Sequence, residues 1–172
     1  MSDKNREKQM HSFIAAMRQR SAARILELGT IDELFIGEVL REFDWADAVE
    51  VHCLDNGSES FDASLTRAMD GKMLDVQVTK HIGSETEVND AVLQASELNR
   101  FDAVFISSAV SSESLLTACM VCNECLKSGG IMGVSASVLD EQAMSIAMKS
   151  FQDLYADSYD EIHKNLFVKK AS

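Results

Sequence analysis

Apolar residues along the chain follow two periods in alternation, and that alternation predicts the fold before any single residue matters. Residues 24–28 (Arg-Ile-Leu-Glu-Leu) form a short apolar run closed by Gly29, which reads as a strand. Leu34, Ile36, Val39, Leu40 and Phe43 then recur at largely helical spacing. A second strand over 49–54 ends in Asp55-Asn56-Gly57-Ser58, which favours a turn. Helical spacing returns with Phe61, Leu65 and Met69, and Asp70-Gly71 supplies a stop. Residues 74–82 alternate as a third strand, after which Ser84 and Glu87 make a capping box for a helix carrying Val88, Ala91, Val92, Ala95 and Leu98. Residues 103–106 (Ala-Val-Phe-Ile) are continuously apolar, as expected of a central strand covered on both faces of a parallel sheet. A helix over 112–127, stopped by Gly129-Gly130, leads to a fifth strand over 131–134. A last helix over 139–154 precedes two short strands within 159–169, folded around His163-Lys164-Asn165.

Strands alternating with helices predict an α/β fold: a single doubly wound, Rossmann-like sheet, mostly parallel, with a C-terminal antiparallel hairpin. The expected organisation is an N-terminal helical segment, residues 1–22, followed by the sheet domain, residues 23–172. A length of 172 residues allows one such domain with a substantial core. Proline is absent where average usage of about 5% would place roughly nine, so turns must rely on Gly, Asn, Asp and Ser.

Charge narrows the function. A net charge of -12 argues against a broad nucleic-acid or anionic-membrane surface and favours small-molecule ligands. Residues 1–24 nevertheless carry six basic and two acidic side chains, which predicts a helix docked on an acidic body. No run approaches the ~18 apolar residues of a membrane span, and the polar start lacks a signal-peptide core, so a soluble, cytoplasmic protein is expected.

In doubly wound sheets ligands bind beyond the carboxyl ends of the strands, where the strand order reverses. The residues there are Gly29-Thr30, Asp55-Asn56, Gly83-Ser84, Ser107-Ser108 and Ser135-Ala136. Glu27 closes the first strand and Asp55 the second. A carboxylate at the second strand end offers two acceptor oxygens to the two hydroxyls of a ribose, and a glycine lets a ligand approach the backbone. The competing explanation is local: Glu27 satisfied by backbone donors, Asp55 a turn former.

The strings Ala23-Arg24-Ile25-Leu26-Glu27-Leu28-Gly29-Thr30, Phe101-Asp102-Ala103-Val104-Phe105-Ile106 and Leu126-Lys127-Ser128-Gly129-Gly130-Ile131 resemble the first, fourth and fifth strand motifs of class I S-adenosylmethionine-dependent methyltransferases, nearest to the small O-methyltransferase group. The resemblance runs in order over about residues 20–170. It implies a seven-stranded sheet with one antiparallel strand and S-adenosylmethionine as cofactor. By position it implies Glu27, Gly29 and Thr30 at the methionine end, Asp55 with Asn56 at the ribose, Gly83 and Ser84 against adenine, and Ser107 on the crevice wall.

Two departures qualify what the resemblance implies. The glycine-rich loop continues here as Ile31-Asp32-Glu33, placing bulk and charge where the family has a further glycine, although acids at a helix start are also favoured by its dipole. Ser107, Ala109 and Ser135-Ala136 occupy the positions of the acids that hold a divalent cation in the metal-dependent branch, so no metal site is expected. The expected activity is metal-independent methyl transfer to a small molecule. The alternative is a degenerate, non-catalytic member serving as a binding or assembly module, and a homo-oligomer is compatible with either. No catalytic residue is assigned. His52, His81 and His11 are the candidate bases, with His52 read first as a core or edge histidine, and His163 is read as hairpin surface.

Cys119, Cys122 and Cys125 have a metal-cluster spacing, but on a helix they spread over ~120° of one face, the width of a buried stripe. Packing is the expected role, with a cluster or zinc site as the alternative. Cys53 and the nine scattered methionines are likewise assigned to packing. The N-terminal helix, with Phe13, Ile14 and Met17 on one side and Arg18 and Arg20 nearby, is the candidate cover for a substrate.

Overall fold

The computed structural model describes residues 3–28, 33–55, 74–82, 101–107, 109, 111–135 and 139–171. Helices α1 (Asp3–Gln19), α2 (Glu33–Glu42), α3 (Ser112–Cys125) and α4 (Glu141–Leu154) flank strands β1 (Arg24–Leu28), β2 (Ala48–Asp55), β3 (Asp75–Ile82), β4 (Phe101–Ile106), β5 (Leu126–Val134), β6 (Tyr159–His163) and β7 (Leu166–Lys169). The helices expected around Phe61–Met69 and Val88–Leu98 lie outside the described residues.

All seven strands form one sheet in the order β3-β2-β1-β4-β5-β7-β6. The order runs outward from β1 in both directions, so the reversal falls between β1 and β4. Ile25 stands opposite Ala103 and Leu28 opposite Ile106, in parallel. Strand β7 returns antiparallel to both β5 and β6. This is the doubly wound sheet and terminal hairpin that the apolar pattern predicts.

Alternation on the central strands divides the core into two layers. Leu26, Leu28, Val104 and Ile106 pack with Leu115, Cys119, Cys122 and Phe151 on the α3/α4 side. Ile25, Ala103 and Phe105 pack with Phe13, Met17, Val39 and Leu40 on the α1/α2 side. Residues 103–106 of β4 are therefore apolar without a break because they have no solvent face.

Helix α3 stops at Cys125, two residues before the expected end and well short of the glycine pair. Leu126 is already extended and pairs with Phe101. The released helix-end carbonyls have a partner: Lys169 Nζ donates to Asn123 O at 2.5 Å and to Leu126 O at 3.2 Å. Gly129, at φ 78°, serves the irregular register between β4 and β5 instead of the helix stop.

The expected substrate cover is overturned. Phe13, Ile14 and Met17 are fully buried against the sheet, and Phe13 meets Phe105 edge-on at 5.3 Å between ring centroids. The basic end of α1 lies near the chain leading into β2: Arg18 pairs with Asp44 at 2.9 Å, donates to Glu42 O at 3.1 Å and stacks over Trp45. His11 stands 3.4 Å from Glu42. Helix α1 is thus a layer of the core docked on an acidic neighbour, as its charge predicts.

Candidate functional site

The start of β1 is fixed by a side chain from β4. Asp102 Oδ2 accepts the backbone N–H groups of Ala23 and Arg24 at 3.1 and 2.9 Å, while its Oδ1 takes Lys127 Nζ at 2.6 Å. One carboxylate thereby ties β1, β4 and β5 together below the reversal point. Along β1 the chain then delivers Glu27 into the middle of the sheet, opposite Phe105 on one side and Cys53 on the other.

Glu27 is fully buried. A carboxylate is kept in such surroundings only where it is matched by donors, and its two oxygens suit the N–H groups of an ammonium or the O–H groups of a sugar. Asp55, the last residue of β2, stands opposite Ile82 and lies two residues beyond Cys53, the partner of Glu27. It therefore reaches further toward the carboxyl edge than Glu27 does. Ser107 leaves β4 at the same edge: its N–H donates to Leu28 O at 2.8 Å and its hydroxyl to the same oxygen at 3.3 Å. Ser135 follows β5, is buried, and donates its N–H to Ile106 O at 2.9 Å.

The exits of β1, β2, β4 and β5 thus lie along one edge at the reversal, with Glu27 and Ser107 beside it. Gly29, Thr30, Asn56, Gly83, Ser84 and Asp32 lie outside the described residues, as do the side chains of Asp55, Glu33 and His81. The chemistry at this edge, a buried acceptor at β1 and an acid closing β2, fits an amino-acid nucleoside such as S-adenosylmethionine.

The histidine side chains described stand elsewhere. His52 lies mid-strand, buried, with Nε2 2.6 Å from Glu50 Oε1 and its ring edge-on to Phe101. Arg24 joins the same carboxylate at 3.0 Å. This is a core cluster, in keeping with the first reading of His52. His163 closes β6 and is half-buried, more enclosed than a surface hairpin position, with Nδ1 lacking a hydrogen-bond partner among the described residues.

Cys119, Cys122 and Cys125 are free thiols, fully buried in α3. Burial pushes the Cys119 thiol up to about 12 and moves Cys122 in the same direction. Thiols held protonated in a packed helix face are poor metal ligands. Among the described residues no group of three His, Cys, Asp or Glu side chains could hold a metal ion. Nor is any described helix long and apolar enough to cross a membrane.

Sequence reasoning missed Gln9, Asp102 and Lys169 as organising residues. Gln9 left a trace, since it shares an i, i+4 stripe with the core residues Phe13 and Met17. A polar side chain on such a stripe needs a buried partner.

No family model matches the sequence, and neither does any curated protein. Solved structures do resemble it. The O-methyltransferase TomG from Streptomyces achromogenes, involved in tomaymycin synthesis and solved with S-adenosylmethionine, superposes with a TM-score of 0.63 at 16% identity, over 96% of this chain and 80% of that one. An O-methyltransferase from Bacillus cereus, solved with S-adenosylhomocysteine, gives 0.60 at 15%, over 99% and 82%. Spermidine synthase from Thermotoga maritima gives 0.56 at 13%, over 94% of this chain but 59% of that one. The chain has the fold of the class I, Rossmann-like methyltransferases.

Proposed function

We propose that the chain is an S-adenosylmethionine-dependent methyltransferase acting on a small molecule without a metal ion. The observation that carries this reading is Glu27, a fully buried carboxylate at the carboxyl end of β1, on the sheet position where the strand order reverses. The cofactor, when bound, supplies an electrophilic methyl group. Glu27 would receive its amino-acid end, Asp55 its ribose, and Gly29, Thr30, Asn56, Gly83 and Ser84 the remaining contacts.

With the nucleoside toward β2 and the methyl-bearing end toward β1, the acceptor belongs over β4 and β5, flanked by Ser107 and Ser135. Holding an acceptor in line supplies much of the rate in a transfer of this kind. Serines at these positions orient by hydrogen bonding and supply no carboxylate for a hard cation, which supports the metal-independent reading. The net charge of -12 and the polar strand ends support a small, soluble acceptor over nucleic acid or membrane. The fold of the aligned O-methyltransferases supports transfer to oxygen first.

Calorimetric titration with S-adenosylhomocysteine tests cofactor binding, and radiolabelled methyl transfer to a panel of phenols, amines and carboxylic acids tests catalysis. The reading expects heat in the first and labelled product in the second. Absence of heat at millimolar ligand sinks it. Heat without transfer to any acceptor class selects a non-catalytic binding module instead.

A further inference from the structure

The β5–β7 ladder is incomplete at its upper end, and a side chain from the other end of the sequence completes it. Val134, the last residue of β5, gives its N–H to Asn165 O at 3.0 Å. Beyond Leu166, which pairs with Gly133, strand β7 gives way to the β6–β7 turn, where Asn165 is left-handed at φ 59°. The carbonyl of Val134 is taken by Gln9 Nε2 at 2.5 Å, and the same nitrogen lies 3.5 Å from Lys164 O in that turn. Gln9 is 6% exposed, so this contact is shielded from competing water.

We propose that Gln9 is a positioning residue for the acceptor half of the site, an inference that rests on the methyltransferase reading. Val134 is the last residue of β5 before the chain leaves the strand at Ser135. Ser135 is buried beside the exit of β4, its N–H held by Ile106 O, and Val134 stands opposite Ile106. The Gln9 amide therefore sets the direction in which β5 presents Ser135 next to Ser107. Cofactor contacts sit two and three strands away, on β1 and β2, which are joined by their own backbone pairing. Acceptor and cofactor binding are thereby separable at this residue.

The test compares wild type with Gln9→Leu and Gln9→Glu, the full chain in each case. In Gln9→Leu the Ser135 amide should exchange with solvent at least tenfold faster, with S-adenosylhomocysteine affinity within twofold of wild type. For the panel acceptor with the highest turnover, KM should rise severalfold at a kcat changed less than twofold. Gln9→Glu should behave likewise once alkali ionises its carboxyl, which then faces the Val134 carbonyl, and should regain Ser135 protection at acid pH, where a protonated side chain donates again. An unchanged Ser135 exchange rate overturns the proposal, as does a loss of cofactor affinity equal to the rise in KM. Accelerated Ser135 exchange in a protein that binds no S-adenosylhomocysteine overturns the methyltransferase reading, and the acceptor role of Gln9 with it.

Discussion

A Cβ placed on Gly133 would stand 2.7 Å from Cδ2 of Phe13, so the glycine in β5 is the seat of the aromatic ring that anchors α1. Phe105 closes the same seat at 3.0 Å. Gly133→Ala should destabilise the protein by about 1–3 kcal/mol through overpacking. Phe13→Ala should cost about 3–5 kcal/mol by leaving a cavity. Urea unfolding followed by circular dichroism measures both, and equal midpoints for Gly133→Ala and wild type would refute the close approach.

Stability should decline in alkali for a stated reason. Burial holds the Cys119 thiol up to about 12, against 9.0 for an ordinary thiol, and moves Cys122 and Tyr159 the same way. Between those values the folded protein binds more protons than the unfolded chain, so unfolding free energy falls as pH rises above about 9. Each such group contributes at most ~1.4 kcal/mol per pH unit. The urea midpoint should therefore drop between pH 8 and pH 10, and Cys119→Ala should shallow that drop. A midpoint flat across this interval would count against buried, protonated thiols.

Asp102 organises three strands from a single carboxylate. Replacing it with Ala leaves the N–H groups of Ala23 and Arg24 without this acceptor and releases Lys127. The expected loss is about 1–3 kcal/mol, with Asp102→Asn intermediate because its amide oxygen can still accept. Thermal melts of the two variants should rank in that order.

Glu27→Gln preserves shape while removing the negative charge and half of the acceptor capacity. On the cofactor reading, S-adenosylhomocysteine affinity should fall at least about tenfold, or ~1.4 kcal/mol, with the far-ultraviolet spectrum unchanged. Undiminished affinity would show that Glu27 serves the core alone.

Elements whose causes are local were legible in the sequence. The apolar run of β4, the two short strands of the β6–β7 hairpin and the buried cysteine face of α3 follow from short-range sequence signals. What escaped depends on contacts between distant parts of the chain. Lys169 reaches the end of α3 from 46 residues away, Asp102 reaches β1 from 78, and Gln9 reaches β5 across 125. Periodicity also shows that α1 has an apolar face without showing which surface receives it, and so Phe13, Ile14 and Met17 looked like a lid over the crevice. Among the site residues, Glu27 and Ser107 were identifiable because the end of an apolar run marks a strand exit. The arrangement of Gln9, Val134 and Ser135 could not be read, because it depends on how an antiparallel ladder ends.

The strand order also governs the chain during synthesis. Strand β1 leaves the ribosome second among the elements, yet one of its two neighbours, β4, follows 78 residues later, and α1 waits longer still for β5. Until then Ile25, Leu26 and Leu28 on β1, and Phe13 and Met17 on α1, have no complete surface to bury against. A nascent chain of this topology exposes these apolar side chains early and shelters them late. Productive folding then depends on keeping the amino-terminal third from associating with other chains until its carboxyl-terminal partners emerge.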